Sequence, residues 1–186
     1  VEIRDPYTAG HQQRVAKLAY SIADRLGLSE DRKEATRVAA LLHDVGKISV
    51  PSELLSKPGR LSELEFQLIK MHPASSADIL KSIDFPYPIA RFVREHHEKL
   101  DGSGYPDGLA GAAISLESRI ICVADVADAM ASHRPYRPSL GIELALEELS
   151  RKAGQLYDPE VVSACLSVFA AGAFDFGIVS GELLRA

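Results

Sequence analysis

Residues 11–28 read HQQRVAKLAYSIADRLGL, and their spacing of apolar residues indicates the fold class. Apolar side chains recur every three or four residues, at Val15, Leu18, Ala19, Ile22 and Leu26. This spacing places them on one face of an α-helix. Gly27 follows the last apolar turn, where a glycine commonly ends a helix. The stretch therefore predicts an amphipathic helix with one buried face.

The same helical period continues along most of the chain. Helices are predicted in DRKEATRVAALLHDVGK with Gly46 near its end, in SELEFQLIKMH, over residues 74–83, and in IARFVREHHE, SLESRIICVADVADAMAS, GIELALEEL and PEVVSACLSVFAA. Ser62 followed by Glu65 is typical of a helix-starting capping box. The segment GIVSG near the C-terminus is the one candidate strand. The sequence predicts an all-α domain of orthogonally packed helices.

Composition narrows the class of protein. The chain has 186 residues and is 46% hydrophobic, which predicts a folded domain rather than a disordered chain. No apolar run approaches the roughly 20 residues of a membrane helix, so no membrane contact is expected. The net charge of −5 argues against binding to a nucleic-acid polymer. Cys122 and Cys165 lack metal or redox spacing, so reduced core cysteines and a cytoplasmic location are predicted.

Residues 94–108, REHHEKLDGSGYPDG, place two histidines side by side where a helix must end. Three further histidines lie near predicted helix ends, and two aspartates accompany them; the full set is His11, His43, Asp44, His72, His96, His97 and Asp125. A single member has an ordinary explanation, such as a helix cap, an internal ion pair or a partly buried neutral histidine. Together, imidazole nitrogens and carboxylate oxygens suit Fe, Mn, Ni, Co or Zn. Seven ligands exceed the needs of one ion and suit two ions that share a bridging carboxylate.

An ordered set of motifs resembles the HD-GYP domain, a branch of the HD metal-dependent phosphohydrolases. The motifs are His43-Asp44 followed by Gly46-Lys47, then His96-His97-Glu98, Asp101-Gly102 and Gly104-Tyr105-Pro106. The resemblance implies an HD-domain helical bundle with a five-helix core and additional helices. We expect the catalytic domain to span residues 1–172 and a C-terminal extension to span residues 173–186. Because the chain opens VEIRDPYTAGH without an initiator methionine, we expect it to be cut from a longer chain with an upstream regulatory domain.

The resemblance also implies an activity. Members of the family hydrolyse the bacterial messenger cyclic di-GMP to pGpG, and often on to GMP, with a metal-activated hydroxide at a binuclear His/Asp site. All seven residues of the set match the family's metal ligands, with Asp44 as the bridging ligand. Lys47 matches the lysine that reaches the scissile phosphate, so Asp44 and Lys47 are the candidate catalytic residues. Arg134 and Arg137 match positions that contact the dinucleotide.

Several of these roles have ordinary alternatives. Lys47 taken alone is a solvated lysine, and the two arginines also suit helix-end capping. Tyr105 either stacks on the substrate or packs against its own turn. Some family members carry a glutamate where this chain has Tyr7, four residues before His11, and that glutamate supplies a third metal. A phenol is a poor ligand at neutral pH, so two ions are expected.

Two other functions compete with the phosphodiesterase. A catalytically weak sensor or adaptor would bind cyclic di-GMP or pGpG and contact signalling proteins through the GYP loop. A phosphohydrolase of mononucleotides is the second alternative, and the GYP segment and the RPYR segment argue against it. The intact ligand set favours the phosphodiesterase over the adaptor. A homodimer formed through the N-terminal helix is left open.

Overall fold

The computed structural model describes residues 10–57, 59–132 and 141–174. Its α-helices are α1 His11–Arg25, α2 Glu30–Leu42, α3 Ser52–Leu55, α4 Glu63–Ile69, α5 His72–Leu80, α6 Ile89–Glu95, α7 Leu116–Ala131, α8 Ile142–Arg151 and α9 Pro159–Ala170. Short 3-10 helices cover Val45–Ser49 and Gly111–Ala113. Within these ranges, β pairing is limited to two isolated bridges, Asp101–Ala110 and Ala153–Tyr157. The all-α prediction is confirmed, and the candidate strand GIVSG lies outside the described residues.

The helix α1 lies at the centre of the domain, where it contacts α2, α7 and α9. Its predicted apolar face is the buried one, since Val15, Leu18 and Ile22 are completely inaccessible. The opposing face of α7 is equally buried at Ile120 and Val123. Burial of each such side chain contributes about 1.5–3 kcal/mol. The helix pair is therefore a rigid support for the residues at the start of α1 and in the middle of α7.

Side-chain caps define where two of the surrounding helices begin. The Ser62 hydroxyl accepts a hydrogen bond from the Glu65 backbone N–H, and the Glu65 carboxylate accepts one from the Ser62 N–H. This reciprocal arrangement is the predicted capping box. At α9, the Asp158 carboxylate accepts from the backbone N–H groups of Glu160 and Val161. These caps satisfy amide groups that have no partner within the helix.

The segment around Gly46 differs from the sequence-based expectation. The helix α2 ends at Leu42, and Gly46 lies inside the following 3-10 helix instead of ending an α-helix. Only glycine fits at this position, because a Cβ atom on residue 46 would lie 2.2 Å from the His72 carbonyl oxygen. The Ser76 hydroxyl accepts from the Gly46 N–H at 2.7 Å and donates to the His43 carbonyl at 2.9 Å. The turn after α2 is thereby tied to α5.

The helix α5 also begins earlier than predicted, at His72 rather than residue 74, and ends at Leu80 rather than residue 83. Pro73 falls in its first turn, where the missing N–H would have no helical partner in any case. This start places His72 itself on the helix.

None of the described helices combines the length and the apolar character that a membrane crossing requires. Cys122 and Cys165 are both buried and not disulfide-bonded. The boundary predicted at residue 172 stays a prediction, since residues 175–186 lie outside the described part.

Candidate metal centre

The structure brings the whole predicted ligand set together from three helices and from the turns that follow α2 and α6. Each residue contributes a donor atom to at least one group whose atoms lie within 4.8 Å of one another. The groups are His72, His96 and His97; His11, His43 and Asp125; and His43, Asp44 and His96. Because His43 and His96 each belong to two groups, the three groups form one continuous cluster. Residues far apart in the sequence meet here because helix ends converge on the middle of α7.

Three of the histidines are oriented by the same local hydrogen bond. The Nδ1 atoms of His43, His72 and His96 lie 2.6, 2.8 and 2.6 Å from the carbonyl oxygens of the residues three positions earlier. A carbonyl can only accept, so Nδ1 carries the proton and Nε2 presents its lone pair to the cluster. All three Nε2 atoms are buried without a hydrogen-bond partner. Such atoms are costly unless something binds them, and a divalent cation fits this set of nitrogen donors.

Asp44 lies in the middle of the cluster and is buried. One carboxylate oxygen lies 3.1 Å from the Nε2 atom of His72, and the other lies 3.4 Å from that of His43. Both Nε2 atoms lack a hydrogen-bond partner, so nitrogen and oxygen donor atoms converge at this point. The Lys47 ammonium lies 2.6 Å from the second oxygen. Burial raises the pKa of Asp44, but Lys47 and His43 outweigh that effect and hold it well below its usual range.

His11 is held by a carboxylate that sequence reasoning missed. Its Nδ1 atom lies 2.6 Å from Asp128 Oδ2, and its Nε2 atom faces Asp125 at 3.3 Å. The Arg14 guanidinium donates to Asp128 as well, with Nε at 2.6 Å from Oδ1. Burial lowers the pKa of His11, but its hydrogen bonds to Asp125 and Asp128 outweigh burial and raise it to about 9. The sequence feature that could have identified Asp128 is its position one turn after Asp125 in the same apolar helix.

His96 and His97 lie next to each other in the cluster, where His96 is completely buried and His97 is partly buried. Burial, together with the neighbouring histidines, lowers the pKa of His96 well below its usual range. Burial likewise lowers the pKa of His97 to about 3. The ring of Tyr105 lies over that of His97, with centroids 4.8 Å apart. Neutral imidazoles are the form that binds a metal.

The GYP loop is attached to the cluster by the residue after the two histidines. The Glu98 carboxylate, itself buried, accepts from the backbone N–H groups of Asp107 at 2.7 Å and Leu109 at 3.0 Å. Gly104 packs so closely that a Cβ atom would lie 2.4 Å from the Glu98 Cα. The loop therefore sits directly on the helix end that carries the paired histidines, which places Tyr105 against His97.

The predicted substrate residues divide into two sets. Lys47 lies beside Asp44, and Tyr105 packs on the cluster. Arg134 and Arg137 lie outside the described residues, as does Tyr7. Of the predicted substrate residues, the structure therefore describes Lys47 and Tyr105.

Comparison with known proteins agrees with this geometry. The family model for the HD domain matches residues 1–161. The chain is 44% identical over 168 residues to the cyclic di-GMP phosphodiesterase response regulator RpfG of Xanthomonas campestris, covering 89% of this chain and 44% of that protein. It is 43% identical over 164 residues to the 3'3'-cGAMP-specific phosphodiesterase 3 of Vibrio cholerae, covering 88% of this chain and 36% of that protein.

A solved structure shares the architecture. The HD-GYP-type protein Bd1817 of Bdellovibrio bacteriovorus superposes with a TM-score of 0.70 at 20% identity, over 86% of this chain and 51% of that one. The chain spans less than half the length of the two curated relatives. The family match, the helical architecture and the cluster of histidines and aspartates lead to one conclusion: the chain belongs to the HD domain family, in its HD-GYP branch.

Proposed function

We propose that this domain is a metal-dependent phosphodiesterase that hydrolyses a cyclic dinucleotide, with cyclic di-GMP as substrate and pGpG as product, and in a further step GMP. One observation carries the proposal. Three buried imidazole nitrogens point their lone pairs into a cluster that also holds the buried Asp44 carboxylate, and none of the three has a hydrogen-bond partner. An adaptor has no use for such a cluster. Two curated relatives are named as phosphodiesterases of cyclic dinucleotides, which supports the substrate class.

The overlap of the ligand groups supports a binuclear site. His43 and His96 each contribute to two of the three groups, so neighbouring ions would share one pocket. Asp44 offers two oxygens that face different histidines, the arrangement expected of a bridging carboxylate. Two divalent ions of Fe, Mn, Ni, Co or Zn would be held by His11, His43, Asp44, His72, His96, His97 and Asp125. When bound, such ions neutralise phosphate oxygens and lower the pKa of a coordinated water to near 7.

The protein's own residues have to bring a dianionic substrate to this site. The chain carries a net charge of −5, so attraction must be local. The Lys47 ammonium lies beside Asp44 at the edge of the cluster and would donate to a non-bridging oxygen of the scissile phosphate. Arg134 and Arg137 would add charge-assisted contacts to the second half of the dinucleotide. Tyr105 would line the entrance through its packing on His97.

The test compares substrates on metal-reconstituted protein. Cyclic di-GMP, 3'3'-cGAMP, pGpG and a mononucleotide are each followed in a single-turnover assay, with Asp44→Ala as the inactive control. We expect ring opening of cyclic di-GMP and no release of phosphate from the mononucleotide. Turnover of the mononucleotide alone would overturn the proposal in favour of the second enzyme class. Tight binding of cyclic di-GMP without any cleavage would favour the adaptor.

A binding measurement tests the arginines separately. Loss of one charge-assisted contact to phosphate costs about 1.5–3 kcal/mol. Arg134→Ala should therefore weaken binding of a non-hydrolysable cyclic di-GMP analogue by that amount, with unchanged metal content. Equal affinity of the wild type and the variant in calorimetry would reject the role of Arg134.

A further inference from the structure

A cavity adjoins the metal centre on the side of Lys47. It has a volume of about 550 Å³ and lies between the 3-10 helix Val45–Ser49 and α4. The residues that matter here are Lys47, Leu54, Arg60, Leu61, Phe66 and Ile69. Lys47 both lines this cavity and contacts Asp44, so the cavity and the cluster share a wall. Its size falls in the range of small-molecule sites and suits one nucleoside.

The cavity walls suit a flat aromatic ligand. Leucine and isoleucine side chains contribute to the lining, and Phe66 of α4 is 40% exposed. The Lys70 ammonium lies over that ring, 4.7 Å from its centroid. Bases stack on exposed aromatic rings with useful affinity. An exposed phenylalanine in the wall of a cavity, beside the lysine proposed to contact phosphate, therefore favours a nucleobase as occupant.

Two charged residues that line the cavity, Arg60 and Glu63, match the edges of guanine. The neighbouring Lys57 is paired with both carboxylate oxygens of Glu65 at 2.7 Å. Arg60 is exposed and forms no ion pair within the described ranges. Its guanidinium fork suits the O6 and N7 acceptors of guanine, the commonest specific arginine–base contact. Glu63 accepts one hydrogen bond from Gln67, so its remaining acceptor sites could take the N1–H and N2–H donors of the same base.

We propose that this cavity binds the guanine of the nucleotide that is not cleaved, with Phe66 stacking on the base, Arg60 contacting O6 and N7, and Glu63 contacting N1 and N2. This inference rests on the proposed function. Such a site would allow base choice to differ among relatives. Proteins of 44% and 43% identity to this chain are named for cyclic di-GMP and for 3'3'-cGAMP, respectively. A metal cluster that binds phosphate oxygens would not distinguish the bases, so the base would have to be recognised elsewhere. Adenine offers an amino donor where guanine offers O6.

The first test separates base recognition from phosphodiester chemistry. The kcat/KM of metal-loaded protein is measured on cyclic di-GMP and on bis(p-nitrophenyl) phosphate, a phosphodiester without a base. Arg60→Ala should lower kcat/KM for cyclic di-GMP by about tenfold or more and leave that for the nitrophenyl ester unchanged. Arg60→Lys should behave like Arg60→Ala, because an ammonium lacks the planar fork. Leu64→Ala is the matched control, since Leu64 is 79% exposed on α4 and does not line the cavity.

A second test addresses Glu63 with substrate analogues. Cyclic di-IMP keeps O6, N7 and N1–H but lacks the N2 amino group. The wild type should prefer cyclic di-GMP to cyclic di-IMP, and Glu63→Ala should reduce that preference toward one. An unchanged preference in the variant would remove Glu63 from the proposal.

The outcomes distinguish failure of this inference from failure of the proposed function. Equal losses on the two substrates in Arg60→Ala, or no loss on either, would overturn the base site. If the wild type cleaves no phosphodiester, the proposed function fails, and binding decides the base site instead. In that case calorimetry with GMP and AMP should show tighter binding of GMP that Arg60→Ala abolishes. Equal binding of the two nucleotides would refute the base site by itself.

Discussion

Asp128 orients His11 without belonging to the predicted ligand set, and its replacement by asparagine tests the architecture of the centre. The change keeps the volume of the side chain but removes its charge. The carboxylate accepts from His11 Nδ1 and from Arg14 Nε, both at 2.6 Å. An amide can accept on one atom only, so one of the two donors would face an NH2 group.

The size of the effect follows from those two bonds. A hydrogen bond to a charged group contributes about 1.5–3 kcal/mol, against 0.5–1.5 kcal/mol for a neutral one. Loss or weakening of partners that orient a metal-binding histidine typically reduces metal affinity about 10–100-fold. We therefore expect Asp128→Asn to weaken metal binding by that factor, equivalent to about 1.4–2.8 kcal/mol. The backbone fold should be retained because Asp128 lies on a helix whose apolar face is unchanged.

The measurement is a competition titration of Zn²⁺ or Fe²⁺ against a chelator of known affinity, with circular dichroism to verify folding. Asp107→Asn is the control, because Asp107 also pairs with an arginine, Arg94, but lies on the surface. It should leave metal affinity unchanged. Metal affinity of Asp128→Asn within twofold of the wild type, together with a large loss in His11→Ala, would refute the orienting role.

Three further predictions concern the same centre. Asp44→Ala should lose bound metal and hydrolysis together, and full metal content with normal turnover would contradict the bridging assignment. Gly104→Ala should lower stability by about 1–3 kcal/mol, since its Cβ would meet the Glu98 backbone at 2.4 Å; denaturant unfolding checks this against Ser103→Ala, an exposed neighbour. Elemental analysis with anomalous diffraction should find two ions per chain in the wild type. The Tyr7→Glu variant should recruit a third ion. Three occupied metal peaks in the wild type would refute the binuclear site.

The helical class and the identity of the clustered residues were predictable from the chain. Helical periodicity depends on local spacing, so the buried face of α1 could be read from residues 11–28. The ligand candidates were predictable because histidines and an HD pair at helix ends are chemically unusual and match a family's ordered motifs. The capping box at Ser62 was equally local.

Features that depend on contacts between distant helices could not be predicted in this way. The role of Gly46 depends on the His72 carbonyl, which approaches only when α5 packs against the turn. The choice of Asp128 as the partner of His11 depends on a contact across 117 positions of the chain. The cavity beside Lys47 likewise exists only where α4 faces the 3-10 helix. Local sequence sets backbone preference and chemical type, whereas packing between helices sets which atoms come within hydrogen-bonding distance, and that packing arises from the burial of the whole core.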